Sequence, residues 1–311
     1  MSAIFVSYFA IAGSCQKEGC RMFGECHAHL FMNGINYKEA VALHKESVQE
    51  KDIREKFQQY KDKGISFVRE GGDVLGVSSA AARIAPEYGI TYCSPVFAIH
   101  RNGHYGGIVG YGFDNRKEYY GLVKKAEEAG ADFIKVMFSG IMDFGHGGHL
   151  TEEPLEREDI FEMIHIAHEE GFAVMAHVNG PKAVLDAVEA GVDSVEHGNF
   201  MDEDALHALS ESHAVWVPTY VTITNLIGSG RFDDEALERL KEQQGRKIKK
   251  AYELGAKLAL GSDAGAFCVP HGQGLLDEYC EFKRLLGEGQ DLDMRLQEGE
   301  EEIKKRFMGR K

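Results

Sequence analysis

The sequence predicts a (β/α)8 barrel of the TIM type, and two observations predict it. Short apolar runs alternate with amphipathic, charged segments along most of the chain, which is the pattern of parallel strands joined by helical crossovers. A glycine recurs at one point of that alternation, after the helix and just before the strand, where it can close the helix in the left-handed conformation.

The first apolar run is MFGECHAHLF, at residues 22–31. KDKG then leads into ISFVRE, PEYG into ITYCSPVFAI, EEAG into ADFIKVMFSG and HEEG into FAVMAHVNG. VEAG leads into VDSVEHG, ESHA into VWVPTYV and YELG into AKLALGSDAG, completing eight strands. Helices are expected between them, among them 115–129, 157–170 and 233–254. Strands that are apolar on both faces, such as FIKVMF and AVMAHV, fit helices outside and packed side chains inside. Eight such units in about 270 residues match the usual size of the fold. The competing arrangement, an open doubly wound sheet, lacks its GxGxxG marker after a first strand. The barrel is expected over 21–290, residues 1–20 as an apolar lead segment, and residues 291–311 as a charged helix or tail.

The charge balance narrows the partners. With 35 Lys plus Arg against 50 Asp plus Glu, the formal charge is −15, which opposes attraction to nucleic acid or an anionic membrane surface. No apolar run approaches the roughly 20 residues that span a bilayer. The apolar start MSAIFVSYFAIAGSC lacks the basic region of a signal peptide. Six cysteines (Cys15, Cys20, Cys26, Cys93, Cys268, Cys280) form no CxxC pair, so a reducing cytoplasm is the expected location. A small-molecule substrate is the expected partner, and a homo-oligomer is compatible with the chain.

In a barrel of this kind, chemistry is built at the carboxyl ends of the strands. Ligand-type residues at the ends of otherwise apolar strands are His27 and His29 on the first, Lys135 on the fourth, His177 on the fifth, His197 on the sixth and Asp263 on the eighth. The HAH spacing puts His27 and His29 on one face of a strand, where two imidazoles can chelate one ion. A buried imidazole must satisfy both nitrogens, and a metal on one with a carbonyl or carboxylate on the other does so. Asp263 adds a hard oxygen donor. Lys135 is the least comfortable residue, because an ammonium inside a barrel is costly unless it is paired or chemically changed.

The loops after the strands should select the substrate. Arg69 ends the second strand and Arg101 follows the third; either can receive a substrate carboxylate through two parallel hydrogen bonds, or form a salt bridge on the rim. His271 in VPHG follows the eighth strand. His146 and His149 in GHGGH fit a mobile glycine loop better than a second metal pair. His165 and His168 read as surface or interhelix residues, Cys26 as core pointing away from His27, and Trp216 as packing.

The ordered set HAH, IKVMFSG, VMAHV, SVEHG and LGSDAG resembles the amidohydrolase superfamily, most closely its imidazolonepropionase and prolidase-like branch. The resemblance covers roughly residues 22–290. It implies that the fourth-strand lysine is carboxylated and bridges two divalent ions, usually zinc. His27, His29 and Asp263 would then hold the first ion, His177 and His197 the second, and carboxylated Lys135 both. It further implies a bridging hydroxide as nucleophile, with Asp263 accepting its proton and passing it to the leaving amine, in agreement with general two-metal chemistry. Similar positions in the branch contact substrate, which assigns that role to His104 and Tyr220. Family members usually carry a small β-sandwich built from segments flanking the barrel; here 26 residues precede His27 and the 48 after Asp263 read as helical, as in a barrel-only member.

The expected function is binuclear metal-dependent hydrolysis of an amide or peptide C–N bond in a small, carboxylate-bearing substrate such as a dipeptide or N-acyl amino acid. Cyclic amide hydrolysis or ring deamination would use the same cage. A non-catalytic ligand-binding protein on this fold is the remaining alternative, and the presence of both Lys135 and Asp263 argues against it.

Overall fold

A computed structural model describes residues 22–145 and 148–308. The expected lead segment 1–20, with Cys15 and Cys20, lies outside the described residues, as does His146.

β1 (Glu25–Ala28), β2 (Phe67–Glu70) and β3 (Thr91–Cys93) form a three-stranded parallel sheet in that order, connected by helices α1 (Tyr37–His44), α2 (Glu50–Asp62) and α3 (Val77–Ile84). β4 (Ala98–Arg101), β5 (Gly110–Phe113) and, after helix α4 (Arg116–Glu128), β6 (Ile134–Met137) begin a second parallel sheet. A short antiparallel hairpin, β7 (Met142–Asp143) with β8 (His149–Leu150), and helix α5 (Arg157–Glu169) precede β9 (Val174–Val178). Then come α6 (Pro181–Glu189), β10 (Ser194–His197), α7 (Glu203–Glu211), β11 (Val215–Val217), α8 (Val221–Thr224), α9 (Asp234–Leu254) and β12 (Lys257–Leu258). Within this seven-stranded sheet the spatial order is β12-β11-β10-β9-β6-β4-β5. Helices α10 (Gln273–Leu286) and α11 (Gln290–Phe307) follow.

Backbone hydrogen bonds also link the two sheets at both seams. Past β12, Cys26 N–H donates to Leu260 O (3.1 Å), Asp263 N–H to His27 O (2.8 Å) and His29 N–H to Ala264 O (2.8 Å). At the other seam Asp132 N–H donates to Ser94 O (2.9 Å).

The six glycines read as helix terminators, Gly64, Gly89, Gly130, Gly171, Gly191 and Gly255, all adopt positive φ, so the strand boundaries fall where the punctuation places them. The single strand expected over ITYCSPVFAI is broken in two. Pro95 has no N–H to give a ladder, Val96 turns at φ 65°, and the pairing changes across the break, β3 bonding β2 while β4 bonds β6. β5 lies where the sequence predicts only loop. The described part of GHGGH falls in the β7–β8 turn and β8.

The charged C-terminal segment forms α11, which buries Leu292, Leu296, Ile303 and Phe307. Ile303 and Phe307 pack with Cys26, Phe67, Cys93, Phe133, Met175, Val215, Val217 and Ala259. Gly299 is required there, since a Cβ would fall 2.0 Å from Leu258 O. Among the described residues no helix is long and apolar enough to cross a membrane.

Candidate metal centre

The strand ends bring the expected ligands together. The rings of His27 and His29 lie 5.5 Å apart, His27 and His197 5.0 Å, and His177 and His197 4.7 Å. Asp263 Oδ1 is 3.6 Å from His27 Nε2 and 3.4 Å from His29 Nε2. Donor atoms of His27, His29 and Asp263 all lie within 4.8 Å of one another. Two local departures from regular strand produce this. β1 pairs with β2 through a register shift, Glu25 opposite Val68 but Ala28 opposite Glu70, and Cys26 is buried in the apolar cluster with Phe67, Val217 and Ile303. His197 (φ 64°) and Asp263 (φ 59°) both occupy the left-handed region, an uncommon conformation for such residues that turns the chain at the strand ends.

Burial and the charge of Lys135 act on every group in the cluster. Both push His29 and His177 down to about 3, and His27 and His197 well below the usual range, so all four imidazoles are neutral. Burial lowers Lys135 to about 8 and raises Asp263 to about 6, against the mutual attraction of the two charges. Three buried polar atoms of the cluster have no hydrogen-bond partner: His27 Nε2, His29 Nδ1 and Lys135 Nζ. Such orphans are expensive in a folded protein. Neutral imidazoles around a carboxylate suit a divalent ion of the zinc type, and the residues present fit such a group.

The residues expected to bind substrate are placed differently. Arg69 is fully buried: Nε donates to Cys26 O (2.7 Å), Nη1 to Ser194 Oγ (2.7 Å) and Nη2 to Glu196 Oε1 (2.8 Å), with Phe307 under the guanidinium. Its donors serve the interior, not an incoming carboxylate. Arg69→Met therefore should destabilise the fold by about 3–5 kcal/mol, because it strands Glu196 as a buried unpaired charge. Urea unfolding measures this; unchanged stability with a raised KM for acidic substrates would restore the ligand role. Tyr220 is buried with its hydroxyl donating to Lys241 O (2.8 Å), and His271 is buried between Tyr60 OH (3.1 Å) and Met32 O (2.9 Å), bracing the loop after β1. Arg101 pairs with Asp159, and His104 lies 3.7 Å from Glu152; both keep partly exposed heads.

Three contributors have no place in the sequence reading. Glu196 Oε2 lies 2.6 Å from His27 Nδ1 and Thr219 Oγ1 2.7 Å from His197 Nδ1. Tyr105, next to His104, sets its ring 5.2 Å from that of His177.

A parallel α/β fold carrying a histidine–aspartate cluster at its strand ends defines the class: an α/β scaffold with a candidate metal site. The chain belongs to the amidohydrolase family, whose model matches residues 25–296. An uncharacterised protein of Mycobacterium tuberculosis is 30% identical over 139 residues, 42% of this chain and 37% of that protein. The ochratoxinase of Aspergillus niger is 26% identical over 156 residues, 48% of this chain and 32% of that protein. The chain thus matches about a third of the length of these relatives. Among solved structures, a Xaa-Pro dipeptidase with methionine bound in its active site superposes with a TM-score of 0.72 at 20% identity, over 92% of this chain and 75% of that one. The A. niger ochratoxinase structure gives 0.70 at 20% identity, over 88% and 69%.

Proposed function

We propose that this chain is a binuclear metal-dependent amidohydrolase that cleaves a C–N bond in a small amide, such as a dipeptide or an N-acyl amino acid. The observation that carries the reading is Lys135, a buried side chain without a hydrogen-bond partner among four neutral imidazoles and Asp263. The dipeptidase and the ochratoxinase among the similar proteins support hydrolysis of an amide. We read the two sheets, joined at both seams, as one eight-stranded ring in which β3 and β4 share a position.

In this reading His27, His29 and Asp263 hold one ion and His177 and His197 the other. Lys135, as its carbamate, serves both. Bound divalent ions would lower the pKa of water and polarise the scissile carbonyl. The chain's own residues do the rest. A neutral Lys135 amine adds to carbon dioxide through its nitrogen lone pair and releases one proton, and a pKa near 8 raises the neutral share at physiological pH. Asp263 takes a proton on its carboxylate and returns it to the leaving nitrogen. Tyr105, half-buried against His177, bounds the space in which the amide sits. Recognition of a substrate carboxylate falls to His104, which faces Glu152 until an anionic substrate competes, whereas Arg101 turns to Asp159 in a cleft lined by α4 and α5, away from the cluster.

Protein purified without chelator and supplied with zinc and bicarbonate should contain about two metal equivalents and hydrolyse members of a dipeptide and N-acyl amino acid library. Metal near zero under those conditions overturns the cage, and a loaded protein inactive on every amide overturns the reaction.

A further inference from the structure

We propose that Glu196 and Thr219 are positioning residues that fix which ring nitrogen of His27 and His197 carries the proton, so that the metal-facing edges of both imidazoles are set before any ion arrives. This role rests on the metal-site reading above and deepens it.

Glu196 is fully buried and its two oxygens are committed separately. Oε1 receives Arg69 Nη2 (2.8 Å) and Ser194 Oγ (2.5 Å); a guanidinium can only donate, so it holds the group as an anionic acceptor. Oε2 is left to accept from His27 Nδ1 at 2.6 Å. A neutral imidazole has one ring proton, and with that proton on Nδ1 the Nε2 lone pair is free. His27 Nε2 is the buried atom without a hydrogen-bond partner, 3.6 Å from Asp263 Oδ1.

At His197 the same result comes from different chemistry. The Thr219 hydroxyl gives its single proton to Pro218 O at 2.7 Å, so toward His197 Nδ1, also at 2.7 Å, it can only accept. Thr219 holds a strained φ of 49°, and the following Tyr220 and Val221 N–H groups donate to the buried carboxylate of Glu278 at 2.9 and 2.8 Å. His271 shows the opposite tautomer: its Nε2 faces Met32 O, which can only accept, so Nε2 carries the proton.

Without Glu196 the two tautomers of His27 compete, and the one protonated on Nε2 cannot ligate through that atom. Outer partners of this kind typically contribute 10- to 100-fold in metal affinity, about the loss expected for Glu196→Gln. Thr219→Val should act in the same direction.

The test starts with the metal-free protein, 15N-labelled, with ring nitrogens read by long-range proton–nitrogen correlation at pH 8. His27 and His197 are expected to carry the proton on Nδ1, and His271 on Nε2 as an internal reference. Zinc affinity of Glu196→Gln and Thr219→Val is then measured by competition with a chromophoric chelator. Should Glu196→Gln fail to fold, the parent spectrum still decides the matter. No zinc binding by the parent overturns the metal reading and this role with it. Zinc binding by a parent whose His27 carries its proton on Nε2, or unchanged affinity in a folded Glu196→Gln variant, overturns this role alone.

Discussion

Asp263→Asn is expected to lower kcat on the best amide substrate by at least about a hundredfold while leaving the ion at His177 and His197 largely in place. The substitution separates two duties. Asn keeps an oxygen in the position from which Asp263 Oδ1 faces His27 and His29 at 3.6 and 3.4 Å, so ligation is weakened but not abolished. It removes the only basic site of the side chain, and positioned proton transfer typically contributes 10² to 10⁴ in rate. The backbone should stay put, since Asp263 N–H donates to His27 O (2.8 Å) and Gly265 lies where a Cβ would meet His29 O at 2.7 Å. In the metal-free protein burial raises the Asp263 carboxyl to about 6, above an ordinary aspartate. Steady-state kinetics with metal analysis on the same sample checks the forecast. An unchanged kcat with both ions bound would assign the proton to another group, and Tyr105 would be the first to examine.

The order of the elements and the convergence of the ligand-type residues are both visible in the amino-acid sequence. Glycine at helix ends reports a backbone conformation directly, and a histidine or lysine inside an apolar strand must find a partner wherever the strand goes. Those signals are local. The direction taken by Arg69 is not, because it depends on Ser194 and Glu196, 125 and 127 positions away, and on Phe307 beneath it. An arginine at a strand end looks the same whether it turns to the rim or to the interior. Tyr220 and His271 turn on the same kind of distant partner, Lys241 O for one and Tyr60 and Met32 O for the other. Glu196 is different: it sits inside SVEH, and the burial argument that marks Lys135 applies equally to it. Pro95 within ITYCSPVFAI likewise carries the break between β3 and β4 in its missing N–H.

Lys135→Met should abolish activity and lower metal content, yet make the metal-free protein more stable. The two effects have one source. Lys135 Nζ is fully buried without a hydrogen-bond partner, and burial lowers its pKa to about 8. Relative to an unfolded lysine near 10.4, the metal-free folded state binds fewer protons between about pH 8 and 10.4. Stability therefore rises with pH across that window, and below it the protein carries the full penalty of a buried ammonium. Methionine has similar length and no charge, so it removes the penalty and flattens that pH dependence. A lysine retained for packing would give the opposite result, loss of stability on replacement. Lys135→Ala leaves space as well as removing charge, which allows a second check: short carboxylic acids added to the zinc-loaded alanine variant should restore part of the activity by standing in for the carbamate. Full activity in either variant would reject the bridging role, and a less stable metal-free Met variant would reject the claim that this lysine is held in place at the expense of the fold.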